Sequence, residues 1–286
     1  MVVPDSGDRP RRPARTWSVG TYGRDVTACS VLSSSLGEPL HATAPYARSW
    51  LLIEEPAAWG RKAVLESGFG ELEARAKAAG VRVGLVRRVR RRSTQGPRRV
   101  FLAHCSQPEP FVEVLVDPDL ETLDLERPDE GDRLAEPLYL VCTNGRRDLC
   151  CGRAGAEVAR ALDRQLEGRV WETTHVGGHR FAANLVALPH GLLFGRLDPE
   201  SAARVVAAHD QRRIVLEHFR GRTSLRPAEQ AREHFVREHT GRTRIDDDLG
   251  GYEVEVRAEP LAPPRPTSCS GDPESPVTWR LVSPLS

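Results

Sequence analysis

The chain has 286 residues, long enough for two domains and a sizeable core. Its formal net charge of +1 supplies no global attraction to nucleic acid or to a membrane surface. No run of about 18 apolar residues occurs, so no segment reads as a membrane span, and residues 1–15 carry Arg and Pro without the apolar stretch of a signal peptide.

The basic residues are almost all arginine, with Lys62 and Lys77 the lysines, a skew that reads as genome base composition rather than as guanidinium chemistry. Six cysteines, unevenly spaced, do not form the pattern of a secreted disulfide framework. The expectation is a cytoplasmic protein.

In chain order, residues 1–20 are polar and rich in Pro and Arg, and are expected to be disordered. Ordered sequence should begin near Cys29. Residues 49–54 (SWLLIE) read as a buried strand. Residues 71–79 read as a helix stopped by Gly80, a position suited to a left-handed cap. Strands follow at 81–89, 100–104 and 111–116. The second half repeats the order. Residues 138–141 (LYLV) form a strand, and 154–166 a helix with Ala154, Val158, Ala161, Leu162 and Leu166 on one face. Residues 170–174 form a strand, and 181–188 with 192–197 a hairpin around Pro189-His190-Gly191. Asp198-Pro199-Glu200 then starts a helix as N-cap, first-turn proline and dipole-matched acid.

This order predicts an α/β protein with a thioredoxin-like domain over 134–222. A degenerate, metal-free thioredoxin-like copy over 21–133 precedes it, and an extension over 223–286 follows. Helical patterns at 211–219 and 227–239, then strands at 252–256 and 277–281, would also suit a winged helix. An extension packed on the sheet is the preferred reading, with a mobile Pro/Ser/Gly loop at 260–276.

Chemistry concentrates between Pro137 and Gly195. Cys142 ends a strand and Cys151 begins a helix, while His175 ends the next strand with His179 four residues on. Loops after parallel strands converge on one sheet edge, so all four side chains can meet. Gly177 and Gly178 permit a turn that faces both imidazoles the same way. Asp148, Arg146 and Arg147 could supply hydrogen bonds or charge around the ligands. Cys29, Cys105 and Cys269 read as ordinary thiols. His41, His104, His190, His209, His218, His234 and His239 read as ordinary side chains, with His190 exposed at its turn. Eight residues between Cys142 and Cys151 are too many for a zinc-finger knuckle. A 2Fe–2S cluster takes two ligands on each iron, which a Cys pair and a His pair supply. A structural zinc remains the alternative.

The segments VCTNGRRDLCCG and THVGGHRFAANLVALPHGLLFGRLDPESAARVV, with the pattern from Trp50 to Gly60, resemble the sucrase/ferredoxin-like family over roughly residues 29–240. Its C-terminal half is similar to thioredoxin-like ferredoxins, whose four ligands are cysteines. The branch with an H-x-x-x-H motif carries a 2Fe–2S cluster on two Cys and two His. The resemblance implies Cys142, Cys151, His175 and His179 as ligands, with Cys150 as the alternative to Cys151. No carboxylate pair supports a glycosidase; the implied role is electron transfer or redox sensing with a redox partner protein, rather than hydrolysis. Imidazole ligands remove negative charge, so the expected potential lies above the about −400 mV of plant-type ferredoxins and depends on pH. A cluster-sensing DNA-binding regulator is the other alternative. Residues 211–244 hold nine Arg against four Glu, but a solvated helical face is the preferred reading and nucleic acid is disfavoured. The basic stretch 87–99 could dock an acidic redox partner.

Overall fold

The structure is a computed structural model that describes residues 28–90, 96–126, 131–166 and 168–282. The arm expected to be disordered, 1–20, lies outside them. The first half comprises α1 (Cys29–Ser35), β1 (Ser49–Glu54), α2 (Ala63–Glu66), α3 (Gly70–Ala78), β2 (Val81–Arg88), β3 (Arg99–His104), β4 (Phe111–Val116) and β5 (Asp132–Arg133). The second comprises β6 (Leu138–Cys142), α4 (Ala156–Asp163), β7 (Val170–Thr173), β8 (Leu185–Leu188), β9 (Leu192–Phe194), α5 (Pro199–Asp210) and β10 (Phe219–Arg222). The extension adds α6 (Pro227–Thr240), β11 (Val256–Pro260), β12 (Arg265–Pro266), β13 (Pro273–Glu274) and β14 (Val277–Leu281).

Strands β1 to β10 form one sheet in the order β10-β9-β8-β6-β7-β2-β1-β3-β4-β5. In the first half β1 runs parallel to β2 and antiparallel to β3, which pairs antiparallel with β4. In the second, β6 is parallel to β7 and antiparallel to β8, which pairs with β9. The thioredoxin-like order thus occurs twice, and the copies join where β2 meets β7 antiparallel. Parallel neighbours need a long crossover; α4 supplies it between β6 and β7, burying Val158, Ala159 and Leu162 against the sheet.

Strand β6 is buried on both faces, as its unbroken apolar sequence demands. Its pleat divides it. Tyr139 and Val141 join the core under α4 and α5, whereas Leu138, Leu140 and Cys142 face the opposite core with Trp50, Trp171 and Cys151. This alternation sends the Cys142 thiol away from α4. Helix α5 begins as its sequence requires: Ser201 N–H donates to Asp198 Oδ1 at 2.7 Å and Asp198 N–H donates to Ser201 Oγ at 2.9 Å, a capping box with Pro199 in the first turn. Gly80 ends α3 at a φ of +72°, as expected.

Three expectations fail. Residues 211–219 are not a helix: the chain turns at Arg212 (φ +56°), Ile214 N–H donates to Thr243 O at 2.7 Å, and Phe219 opens β10 on the edge of β9. Burial of Ile214 and Phe219 and the pairing with β9 outweigh a helical preference already weakened by the β-branched Ile214-Val215 pair. The first helix of a winged helix is therefore missing, and α6 and the β11–β14 hairpin remain as the extension. The first strand of that extension lies at Val256–Pro260 rather than 252–256, because pairing of Val256 with Leu281 and Pro260 with Val277 sets its register. The 260–276 loop folds into the β12–β13 hairpin.

The basic stretch 87–99 is largely paired where it is described; residues 91–95 lie outside the described residues. Arg87 Nε donates to Glu172 at 2.7 Å in a buried pair, Arg88 lies 4.1 Å over Trp171, and Arg99 meets Glu54 at 3.0 Å.

Candidate metal centre

Cys142 closes β6, with its N–H donating to Asn184 O at 3.1 Å. The loop beyond it returns so tightly that a Cβ on Gly155 would lie 1.9 Å from the Cys142 carbonyl oxygen. Glycine is the residue that allows this approach. The return is a π-helical turn, Cys151–Gly155, leading into α4, a distortion that frequently accompanies functional sites. It holds Cys151, buried, beside Cys142.

His175 leaves the end of β7. Gly177 and Gly178 follow with φ of +92° and +69°, and this left-handed pair folds the chain so that the His175 and His179 rings stack at 4.0 Å, 16° from parallel. One ligand atom each of Cys142, Cys151 and His175 lie within 4.8 Å of one another, and His179 Nδ1 is 4.0 Å from Cys151 Sγ. All four side chains singled out from the sequence therefore meet at one sheet edge.

Their protonation is already biased. The Cys151 thiol donates to Cys142, and His175 adds to this, so Cys142 is held well below the ordinary thiol range. Cys151, the donor, is pushed up. Burial, reinforced by the charges of His175 and Arg147, lowers His179 to about 3, which keeps its imidazole neutral. Beneath the His loop lies Arg220, fully buried on β10. Its guanidinium donates to Gly177 O at 2.9 Å, Asn184 Oδ1 at 2.8 Å, Thr43 O at 2.6 Å and Thr43 Oγ1 at 3.0 Å. Burial, then the charge of Arg180, pulls Arg220 down to about 9, against the pull of the Cys151 and Cys142 sulfurs. It remains a cation at neutral pH. Nothing in the sequence marked it out from the other arginines of 211–244.

An open cleft of about 590 Å³ adjoins His175, lined by Arg61, Lys62, Lys77, Arg82 and Arg147 against the single acid Glu73. Arg82 also donates to His175 O at 3.0 Å.

Cys150 does not face the histidines. Its sulfur lies 3.6 Å from Cys29 Sγ and 3.2 Å from Cys269 Sγ, with Asp148 beside them. Cys29 and Cys269 are therefore not isolated thiols, and Asp148 serves this second group. Their separations of 119 to 240 residues leave no spacing signal in the sequence. Cys105 is the lone buried thiol expected of it, pushed up to about 12 by burial. His190 is buried rather than exposed at its turn. Its Nδ1 lies 3.0 Å from His209 Nε2, and His209 Nδ1 lies 3.0 Å from the Tyr139 hydroxyl. Burial lowers His190 to about 4 and His209 to about 3.

The model of the Sucrase/ferredoxin-like family matches residues 40–221. Among curated proteins, the chain is similar to Altered inheritance of mitochondria protein 32 of Meyerozyma guilliermondii, 29% identical over 103 residues, covering 32% of this chain and 36% of that protein. The protein of that name from Eremothecium gossypii is 30% identical over 107 residues, covering 32% and 34%. The matches thus span about a third of the length of these relatives. No solved structure matches the chain.

Proposed function

The chain belongs to the Sucrase/ferredoxin-like family, and we propose that it is an electron carrier or redox sensor in which Cys142, Cys151, His175 and His179 hold a 2Fe–2S cluster. The observation that carries this reading is the convergence of a thiol pair and a stacked imidazole pair at one edge of the sheet. The donor set fits. A 2Fe–2S cluster takes two ligands on each iron, and binding requires thiolate and neutral imidazole, the states already favoured at Cys142 and His179.

Such a cluster supplies reversible one-electron chemistry, at a potential above the about −400 mV of plant-type ferredoxins because imidazole is neutral. The chain does the rest. Arg220 offsets the charge of the two thiolates and fixes the His loop through Gly177. The core around Cys142 and Cys151 excludes water. His175 is half-buried and borders the cleft, so electrons leave by the histidine side. The five basic residues of that cleft suit the acidic face of a redox partner protein. Among the described residues no helix is long and apolar enough to cross a membrane. The unbridged cysteines suit a reducing compartment, for which we take the cytoplasm.

A single zinc ion is the second reading, favoured by the compactness of the Cys142, Cys151 and His175 donors. Anaerobic purification, an absorption spectrum and assays for iron, zinc and sulfide separate the two. Equal iron and sulfide in a red-brown protein bleached by dithionite supports the cluster. A colourless protein with zinc on these residues refutes it.

A further inference from the structure

A second group of metal-binding side chains lies behind the first, independent of the reading above. Cys29 opens α1, Cys150 and Asp148 belong to the loop after β6, and Cys269 lies in the hairpin between β12 and β13. Their three sulfurs form a triangle with edges of 3.6, 3.2 and 3.6 Å. None of the three pairs is bridged. Asp148 Oδ1 lies 3.4 Å from Cys269 Sγ and 3.9 Å from Cys29 Sγ, and all four ligand atoms lie within 4.8 Å of one another.

Around a tetrahedral zinc, with Zn–S of about 2.3 Å and Zn–O of about 2.0 Å, sulfurs stand about 3.8 Å apart and sulfur and oxygen about 3.5 Å apart. The five distances given above lie within about 0.6 Å of these values. We propose that Cys29, Cys150, Cys269 and Asp148 form a structural zinc site that ties α1, the loop after β6 and the C-terminal extension together.

The surroundings suit a closed site. Cys29, Cys150 and Asp148 are buried. The two Asp148 oxygens accept the N–H groups of Cys150 and Cys269, each at 2.9 Å, and Ser30 Oγ donates to Cys150 Sγ at 3.2 Å. These donors orient the ligands and spread the negative charge that three thiolates and a carboxylate leave around a divalent ion. Four protein ligands with no open position define a structural rather than a catalytic zinc. Sulfur-rich tetrahedral donors select zinc over magnesium or calcium.

The test is metal analysis of the full chain, purified under reducing conditions from cells supplied with zinc and iron, together with X-ray absorption at the zinc edge. The expected result is about one zinc per chain with three sulfurs at about 2.3 Å and one lighter atom. The C142S/C151S variant should keep that zinc, and C29S/C269S should lose most of it. Three results would overturn the site: no zinc in wild type even after addition of zinc, a zinc shell containing imidazole and lost in C142S/C151S, or a Cys150–Cys269 disulfide recovered by peptide mapping. The wild-type spectrum decides the matter even if C29S/C269S fails to fold. Zinc with three sulfurs in a protein free of iron would sink the cluster and leave this site standing.

Discussion

Replacing Arg220 by methionine tests whether the buried cation organises the His loop. The side chain is fully buried and keeps similar volume in the variant, so the change isolates charge and hydrogen bonding. Four acceptors lose their donor: Gly177 O, Asn184 Oδ1, Thr43 O and Thr43 Oγ1. Each acceptor left without its donor costs about 1–3 kcal/mol before relaxation, partly offset because a cation no longer has to be desolvated. We expect R220M to lose about 4 kcal/mol in urea unfolding and to release iron faster to a chelator, because the guanidinium no longer holds the turn between the histidines through Gly177 O. R220K should fall between the two, since an ammonium lacks the planar fork that reaches Gly177 and Thr43 together. An R220M protein within about 1 kcal/mol of wild type, with unchanged iron retention, would refute the argument.

Three further outcomes follow from the same geometry. C151S should lose the iron, whereas C150S should keep the visible spectrum, because Cys150 faces Cys29 and Cys269; equal iron loss in both would refute this division. Gly155→Ala places a Cβ 1.9 Å from the Cys142 carbonyl oxygen, so calorimetry should show a loss of more than about 3 kcal/mol together with iron, and a variant that melts like wild type would show that the π-helical turn is not constrained. Burial lowers folded His190 from 6.5 to about 4, so the unfolded chain holds the extra proton between those pH values. The contribution of His190 is complete above pH 6.5 and is lost as pH falls to about 4, amounting to about 3 kcal/mol. The difference in urea stability between wild type and H190Q, both metal-loaded, should shrink by about 2.4 kcal/mol from pH 7 to pH 4.5, and a constant difference would refute it.

How much of this was legible depended on the range of the interaction. Apolar runs gave β1 and β6, Gly80 gave the end of α3, and Asp198-Pro199 gave the start of α5, because each signal and its structural effect lie within one turn or one strand. The two Cys and two His were legible for a related reason: each follows a strand in a repeating α/β order, and the topology brings strand ends together. β10 was missed because its conformation is imposed by β9 and the core rather than by its own periodicity. Arg220 was missed with it, since an arginine is informative only once its strand is placed. Cys29 and Cys269 were set aside because partners 119 and 240 residues away leave no local pattern.

The neighbouring cysteines show how local geometry divides one loop between two groups of side chains. Consecutive residues of a helical turn point about 100° apart. At the start of the turn that leads into α4, that angle sends Cys151 into the core with Cys142, and Cys150 toward α1 and the β12–β13 hairpin. A double cysteine in sequence is therefore no redundancy here. Moving either thiol by one position would exchange its surroundings, and the turn is fixed against such a shift by Gly155 on the Cys142 carbonyl and by the Asp148 carboxylate on the Cys150 N–H. The places of these thiols are therefore set by the backbone.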